Sequence, residues 1–339
     1  MTSQKNSDII LLSHGDGGLL THQLLEKYFL PCFNNTLLEG LTDAASFPVR
    51  QGKMAITTDS FVVDPIFFPG GDIGKLAVCG TVNDLAVSGA KPLYLTASFI
   101  IEEGFPIADL ERIIGSMARA CKEADVTIVA GDTKVVGRTQ ADKIFITTAG
   151  IGYMLPEADL GYNRIVPGDN VIVNGPMGNH GLSVLLERNS FSFDTKILSD
   201  CAPLNVLTEG LIKRFKGIKF MRDLTRGGLA TCVKEIALSA GVDIRLNDSN
   251  IPIDDEVRGI TETLGLDPLY LANEGKFLII TNGEETGSIL EYLKEDLSAQ
   301  KSNIIGHIEE GKGNVYLKTA LGGTRRLTML SGAPLPRIC

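Results

Sequence analysis

The chain has 339 residues, 44% hydrophobic and 22% charged, with a net charge of −9. That length exceeds one typical core, so two domains are expected, and the balance is that of a soluble globular protein. The acidic excess, the absence of Trp and the lack of a basic run longer than Arg325-Arg326 argue against a nucleic-acid surface, and no apolar run reaches the roughly 18 residues of a membrane span.

Residues 1–10 are polar and carry no signal-peptide core, so a cytoplasmic protein is expected. The first predicted strand is 53–58, "KMAITT". A helix rich in small residues follows over 73–90. Residues 106–124 form an amphipathic helix, with Leu110, Ile113, Ile114 and Met117 at helical spacing. Strands are predicted over 126–132 and 143–154. Two prolines and little periodicity over 155–169 then mark a domain boundary, giving an N-terminal domain over 1–155 and a C-terminal domain over 165–330. The second half reads as strand, Gly-rich turn and helix over 170–187. Strand, loop, helix and strand follow over 218–246, strand and helix over 276–296, and short strands after that. Strands alternating with helices give α/β or α+β in both halves. Residues 331–339 form a tail, "SGAPLPRIC", whose prolines stiffen it and whose final residue is Cys339.

The candidate chemistry is acidic. Asp59 and Asp132 are predicted at strand ends, Asp43 lies in "LTDAAS", and Asp84 sits inside the apolar helix "GTVNDLAVSGA". A carboxylate inside such a helix is costly to bury without a partner. Converging carboxylates suit a hard cation such as Mg²⁺ and the phosphates it carries. Asp59 or Asp132 alone also reads as a turn or cap residue; capping cannot explain Asp84. Lys134, two residues after Asp132, shares its face if the chain is extended and can hold phosphate charge or move a proton; alone it reads as a solvated surface Lys. His180, in "NGPMGNHG", reads as a satisfied structural histidine, and Glu274, in "ANEGK", as a turn residue. The four histidines lack zinc spacing. The six cysteines form no CxxC pair, and Cys79, Cys121 and Cys232 read as buried small hydrophobes of a reducing compartment. The Gly-rich loops match neither common nucleotide-binding fingerprint.

Together, "TTDSFVVDPIFFPGGDIGKLAVCGTVNDLAVSGAKP", "AGDTKVV", "RDLTRGGLAT", "ANEGK" and the terminal "PLPRIC" resemble the HypE family of hydrogenase maturation factors, the carbamoyl dehydratases. The resemblance covers nearly the whole chain, and "PRIC" is its most specific piece. It implies the aminoimidazole ribonucleotide synthetase-like fold: an N-terminal domain whose strands join a second subunit's in an intersubunit β-barrel, a C-terminal α/β sandwich, a flexible tail, and ATP with Mg²⁺ between the domains. Cys339 would accept a carbamoyl group from a HypF-type carbamoyltransferase. ATP would phosphorylate the carbamoyl oxygen, and loss of the N–H protons and phosphate would leave a thiocyanate. Its cyanide would pass to iron on a HypC–HypD-type complex during assembly of [NiFe]-hydrogenase. By the same resemblance Asp43, Asp59, Asp84 and Asp132 would hold Mg²⁺ and nucleotide, Asn83 would help the nucleotide site, and Lys134 and Glu274 would handle the amide protons. The protein would be a homodimer.

Two other readings stand beside it. A selenophosphate synthetase-like enzyme needs a reactive Cys near the N-terminus, and residues 1–31 contain none. A non-catalytic maturation scaffold would have no need of converging carboxylates. The carrier reading makes Cys339 the tip of an arm, at most about 20 Å long from Pro334, that enters a closed site and leaves it.

Overall fold

The computed structural model describes residues 9–38, 44–48, 51–189, 193–330, 335 and 337–339; Asp43 therefore lies outside the described residues. Helix α1 (Leu19–Leu24) passes through a π-helical stretch, Leu25–Phe29, into α2 (Leu30–Phe33), and Leu24, Phe29 and Phe33 enter the first apolar core. Strand β1 (Met54–Phe61) is followed by a small ribbon, β2 (Phe67–Phe68) and β3 (Gly71–Asp72), and then by α3 (Ile73–Val87). Strand β4 (Ala90–Glu102), helix α4 (Ile107–Glu123), and strands β5 (Thr127–Val136) and β6 (Ile144–Met154) complete the first unit. Its sheet runs β1-β6-β4-β5, and only the β4–β5 pair is parallel.

Three expectations change here. The long strand β4 has no counterpart among the predicted elements. β5 runs on to Val136, and β1 to Phe61, so Asp132 and Asp59 lie inside strands rather than at their ends. The cause is tertiary: Thr133–Val136 pair with Phe99–Glu102, which holds the chain extended past the Gly-Asp that reads locally as a turn.

The second unit begins with β7 (Asn170–Val173) and continues through α5 (Asn179–Asn189), α6 (Asn205–Arg214), β8 (Ile218–Asp223), α7 (Gly228–Ala240), β9 (Val242–Asn247) and α8 (Asp255–Leu264). It ends with β10 (Phe277–Thr281), α9 (Thr286–Glu295), β11 (Asn303–Glu310), β12 (Val315–Lys318) and β13 (Thr324–Leu327). The sheet order is β13-β12-β9-β11-β7-β10-β8, antiparallel except at β12–β9. Mixed sheets dominated by antiparallel pairs put the protein on the α+β side of the expected class. Strand β10, "FLIIT", is buried at every position, as suits a strand covered on both faces.

Helix α3 sits at the centre of the molecule. It packs on β1, β4 and β6 on one side and on α4, α6 and β8 on others. It is apolar all round, the pattern of a fully buried helix. Asp72 caps it, its Oδ1 accepting the N–H groups of Gly74 at 2.8 Å and Lys75 at 3.0 Å. Gly74 lets α4 approach: a Cβ there would lie 2.5 Å from the Ile113 carbonyl oxygen and 2.9 Å from Met117 Cγ. Gly74→Ala is expected to cost a net of about 1–2 kcal/mol, overpacking outweighing the better helix propensity of Ala. Thermal denaturation checks this; a variant that melts at or above the parent would show that α4 yields freely.

The tail is docked where it is described. Ile338 is buried in the first apolar core beside residues of α3 and β1. The Val62 N–H donates to the Cys339 carbonyl at 3.2 Å, and the Asp64 N–H to the Arg337 carbonyl at 3.1 Å. Arg337 Nε donates to the Val62 carbonyl at 2.8 Å, and its guanidinium pairs with Asp142. No helix among the described residues is long and apolar enough to cross a membrane.

Candidate functional site

Five acidic or nucleophilic side chains from five parts of the chain meet at the junction of the two units. β1 brings Asp59, α3 brings Asp84, the end of β8 brings Asp223, the segment before β10 brings Glu274, and the tail brings Cys339. All five line one cavity of about 50 Å³, and Arg226 is its only cation among the described residues. A wider opening of about 580 Å³ runs along the other side of the tail, lined by Arg226, Tyr270, Ile338 and Cys339 among others.

Alternation along β1 turns Asp59 inward, toward α3, and Asp84 meets it there. The two carboxyls share a hydrogen bond, and the Thr57 hydroxyl donates to Asp84 Oδ2 at 2.7 Å. Burial, and then the charge of Asp84, push the Asp59 carboxyl up to about 6. Burial and Asp84 likewise push Asp223 up to about 7. Carboxyls raised in this way keep their protons to higher pH, and a cation can take the protons' place. Their oxygens are the hard donors that Mg²⁺ takes.

Glu274 is 3% exposed, and its Oε1 has no hydrogen-bond partner among the described residues. Burial, reinforced by Cys201 and Asp223, holds its carboxyl well above the usual range. An unpartnered buried carboxyl beside a thiol is poised to take a proton from whatever that sulfur carries. Burial and then Glu274 push the Cys339 thiol up to about 12, while Arg226 pulls it back.

Two expected site residues lie elsewhere. In register, Asp59 faces Thr148, Thr148 faces Ala97 and Ala97 faces Gly131, so β1 and β5 are three strands apart, about 14 Å. Asp132 and Lys134 have the opposite strand parity from Gly131 and point to the sheet's other face. There they form an exposed ion pair at 3.0 Å. They also line a separate cavity of about 180 Å³ with Gly15 and Gly17 of the N-terminal Gly-rich loop. The expected set of four converging aspartates is therefore not assembled within one chain: Asp132 is on the wrong face. Among the described residues no group of three or more candidate ligands is placed to hold a metal. Lys134 is likewise remote from Cys339 and Glu274.

Asn83 differs too. It was expected at the nucleotide, yet its side chain is 2% exposed and fully engaged with backbone. Its Nδ2 donates to the carbonyls of Ala202 at 3.1 Å and Glu274 at 3.2 Å, and its Oδ1 accepts the Leu204 N–H at 2.8 Å. It fixes the loop carrying Glu274 against α3.

Residues 41–154 match the family described as AIR synthase related protein, N-terminal domain, and residues 166–318 match its C-terminal domain. The carbamoyl dehydratase HypE of Rhodobacter capsulatus is 45% identical over 334 residues, covering 97% of this chain and 98% of that protein. This chain belongs to the HypE family of carbamoyl dehydratases. The HypE of Escherichia coli K12 is 42% identical over 335 residues, covering 97% of this chain and 99% of that one. A crystal structure of a HypE in complex with ATP superposes with a TM-score of 0.94, at 45% identity and covering 97% of this chain and 99% of that one. A HypE–HypF complex gives 0.80, at 44% identity, covering 92% and 100%. A thiamine monophosphate kinase from Aquifex aeolicus, 20% identical with a TM-score of 0.60, shares the fold alone. The chain is thus a hydrogenase maturation enzyme of this class, with both AIR synthase-type domains.

Within this HypE family member, reading the residues one at a time had missed Asp223 and Arg226. The signal was present: in "RDLTRGG" Asp223 stands just before the Gly-bearing loop, and Arg226 follows it by three residues. What no local pattern supplied was that β8 ends against α3.

Proposed function

We propose that the protein dehydrates an S-carboxamide carried on Cys339 to a thiocyanate at the expense of ATP, supplying cyanide for the iron of [NiFe]-hydrogenase. The observation that carries this reading is the confinement of Cys339 and the unpartnered Glu274 in one small cavity beside Asp59 and Asp84. A carboxamide on sulfur must lose its oxygen and two N–H protons to become S–C≡N. Oxygen leaves readily only as phosphate, and the protons need a base. Glu274, buried and unpaired, is the base within reach of the tail's tip. In balance, the carboxamide and ATP give thiocyanate, ADP and phosphate, the oxygen departing with the phosphate.

Asp59 and Asp84, whose oxygens line one cavity and fit a hard cation, would hold Mg²⁺. Bound there, Mg²⁺ supplies charge neutralisation for the triphosphate. Asp43, outside the described residues, is proposed as a further ligand on resemblance alone. The docking of Ile338 and Cys339 against 62–64 supports an arm that works from an inserted position. We assign residues 1–155 and 165–330 to the two domains and 331–339 to the carrier tail.

The outer face of the four-stranded sheet supports a homodimer. No helix among the described residues covers it, Ile56 there is 76% exposed, and Met54 and Ile100 are exposed with it. Closing two such sheets into an intersubunit barrel would bury them and remove open edges. Asp132 and Lys134 lie on this face, so any part they take in metal binding or proton handling is played across the subunit interface. A HypF-type carbamoyltransferase would load Cys339, and a HypC–HypD-type complex would receive cyanide, in the cytoplasm.

The test is the mass of the C-terminal peptide after incubation with carbamoyltransferase, carbamoyl phosphate and ATP. The expected result is a carbamoyl adduct that loses one water on adding ATP. Cys339→Ala is expected to gain no adduct and still bind ATP. An adduct that forms on the native chain and keeps its water would overturn the dehydratase chemistry.

A further inference from the structure

His180 is wholly buried, packed edge-on to Phe68 at 5.4 Å between ring centres, and it is not in the acidic cavity. Its two nitrogens are both engaged. Nε2 lies 2.9 Å from the carbonyl oxygen of Ile338, and Nδ1 lies 2.8 Å from Ser199 Oγ. A carbonyl only accepts, so Nε2 carries the proton. Burial holds the ring below its ordinary pKa and therefore neutral, so Nδ1 accepts from the Ser199 hydroxyl. Ser199 Oγ in turn accepts the Cys201 N–H at 3.1 Å. The donor directions are consistent along the whole chain of bonds, and they fix one tautomer.

Eight residues along the same helix, the Arg188 guanidinium donates to the carbonyl of Arg337 at 2.6 Å and to that of Asp64 at 2.6 Å. Helix α5 thus grips two consecutive tail carbonyls, 337 and 338, immediately before Cys339. Both grips are on backbone and so do not depend on the tail's side chains. The bond from His180 is the only one of the two made in a fully buried setting, where a lost donor is most costly.

The network also reaches the site. The loop beginning at Ser199 carries Asp200, whose Oδ1 accepts the Glu274 N–H at 2.9 Å, and Ala202, whose carbonyl is held by Asn83. The loop that fixes the Glu274 backbone thus also sets the tautomer of His180.

We propose that His180 is a positioning residue for Cys339: its Nε2–H, fixed by Ser199, seats the Ile338 carbonyl and so holds the sulfur of Cys339 against Glu274. This rests on the carrier role of Cys339, but its test needs neither ATP nor a carbamoyl donor, so the two readings fail separately.

The experiment measures alkylation of Cys339 by N-ethylmaleimide, counted by intact mass. It is done in a Cys32→Ser background, because Cys32 is exposed and the other four cysteines are buried. His180→Phe keeps a ring against Phe68 and removes the donor; His180→Gln keeps an N–H donor. The expected result is a rate raised about tenfold in His180→Phe, the worth of one buried hydrogen bond, and within about threefold of the parent in His180→Gln. Equal rates in parent and His180→Phe would overturn the proposal. So would an equal rise in both variants, because the cause would then be packing. If His180→Phe does not fold, Arg188→Met loosens the adjacent carbonyl: a faster reaction there, raised no further by adding His180→Gln, supports the seat, and an unchanged rate rejects it.

Discussion

Glu274→Gln is expected to slow dehydration by about 10²–10⁴-fold, the usual worth of a positioned general base, while Cys339 still accepts its carbamoyl group. Gln keeps the size of the side chain and cannot take a proton. The readout is the adduct on the C-terminal peptide: carbamoylated Cys339 should accumulate in the variant and persist after ATP is added. Loss of water at the parent rate would remove Glu274 from the chemistry. The pH profile of the parent adds a second check. The base form of Glu274 is the active one, and burial raises its pKa well above the usual carboxylate range. Activity should therefore fall, as pH is lowered, at a higher pH than an exposed Glu would give. An acid limb in the ordinary carboxylate range would place the base elsewhere.

The second large effect is on stability. Asp59 and Asp223 are pushed up to about 6 and about 7 by burial, and then by Asp84. In the unfolded chain both titrate near 4. Between about pH 4 and pH 7 the folded protein therefore holds more protons than the unfolded one, and stability falls as pH rises through that window. Without divalent cation the protein should melt at a higher temperature at pH 5.5 than at pH 8. The difference attributable to Asp223 between those two pH values is about 2 kcal/mol, from 1.36 kcal/mol per pH unit over the roughly 1.5 units between pH 5.5 and its folded-state value. Mg²⁺ should raise the melting temperature strongly at pH 8 and little at pH 5.5, because it takes the place of the protons that Asp59 and Asp223 hold at the lower pH. Asp84→Asn should lessen the acidic-pH advantage, because burial, the larger cause, remains, and it should remove most of the response to Mg²⁺. Calorimetric melts at the two pH values, with and without Mg²⁺, decide this. A melting temperature that rises from pH 5.5 to pH 8 without cation would show that these carboxyls are not the strained groups.

Both predictions turn on how differently the site residues announced themselves. Asp84 was legible because a carboxylate in the middle of a helix rich in small and apolar residues has no capping explanation. The tail was legible because prolines and a terminal Cys make a stiff arm with a nucleophile. Glu274 was legible only as part of the family's set of motifs; alone it was a turn residue, and the role proposed for it comes from burial, which no local pattern encodes. His180 was read as a satisfied histidine, and it is one, but what satisfies it is the tail.

What the sequence by itself determined is most of the elements, the division into two units of mixed helix and strand, and the acidic residues and terminal thiol from which the proposed site is built. These follow from short-range periodicity, composition and residue chemistry, each confined to a window of a few turns or strands. The tertiary structure alone decided which carboxylates meet. Asp59 and Asp132 look alike in sequence, yet sheet order sets them three strands apart and strand parity turns them to opposite faces. Asp223, from the other unit, comes in instead, because β8 ends against α3. Strand order is settled by which apolar faces bury together across the whole chain, and no local pattern encodes it.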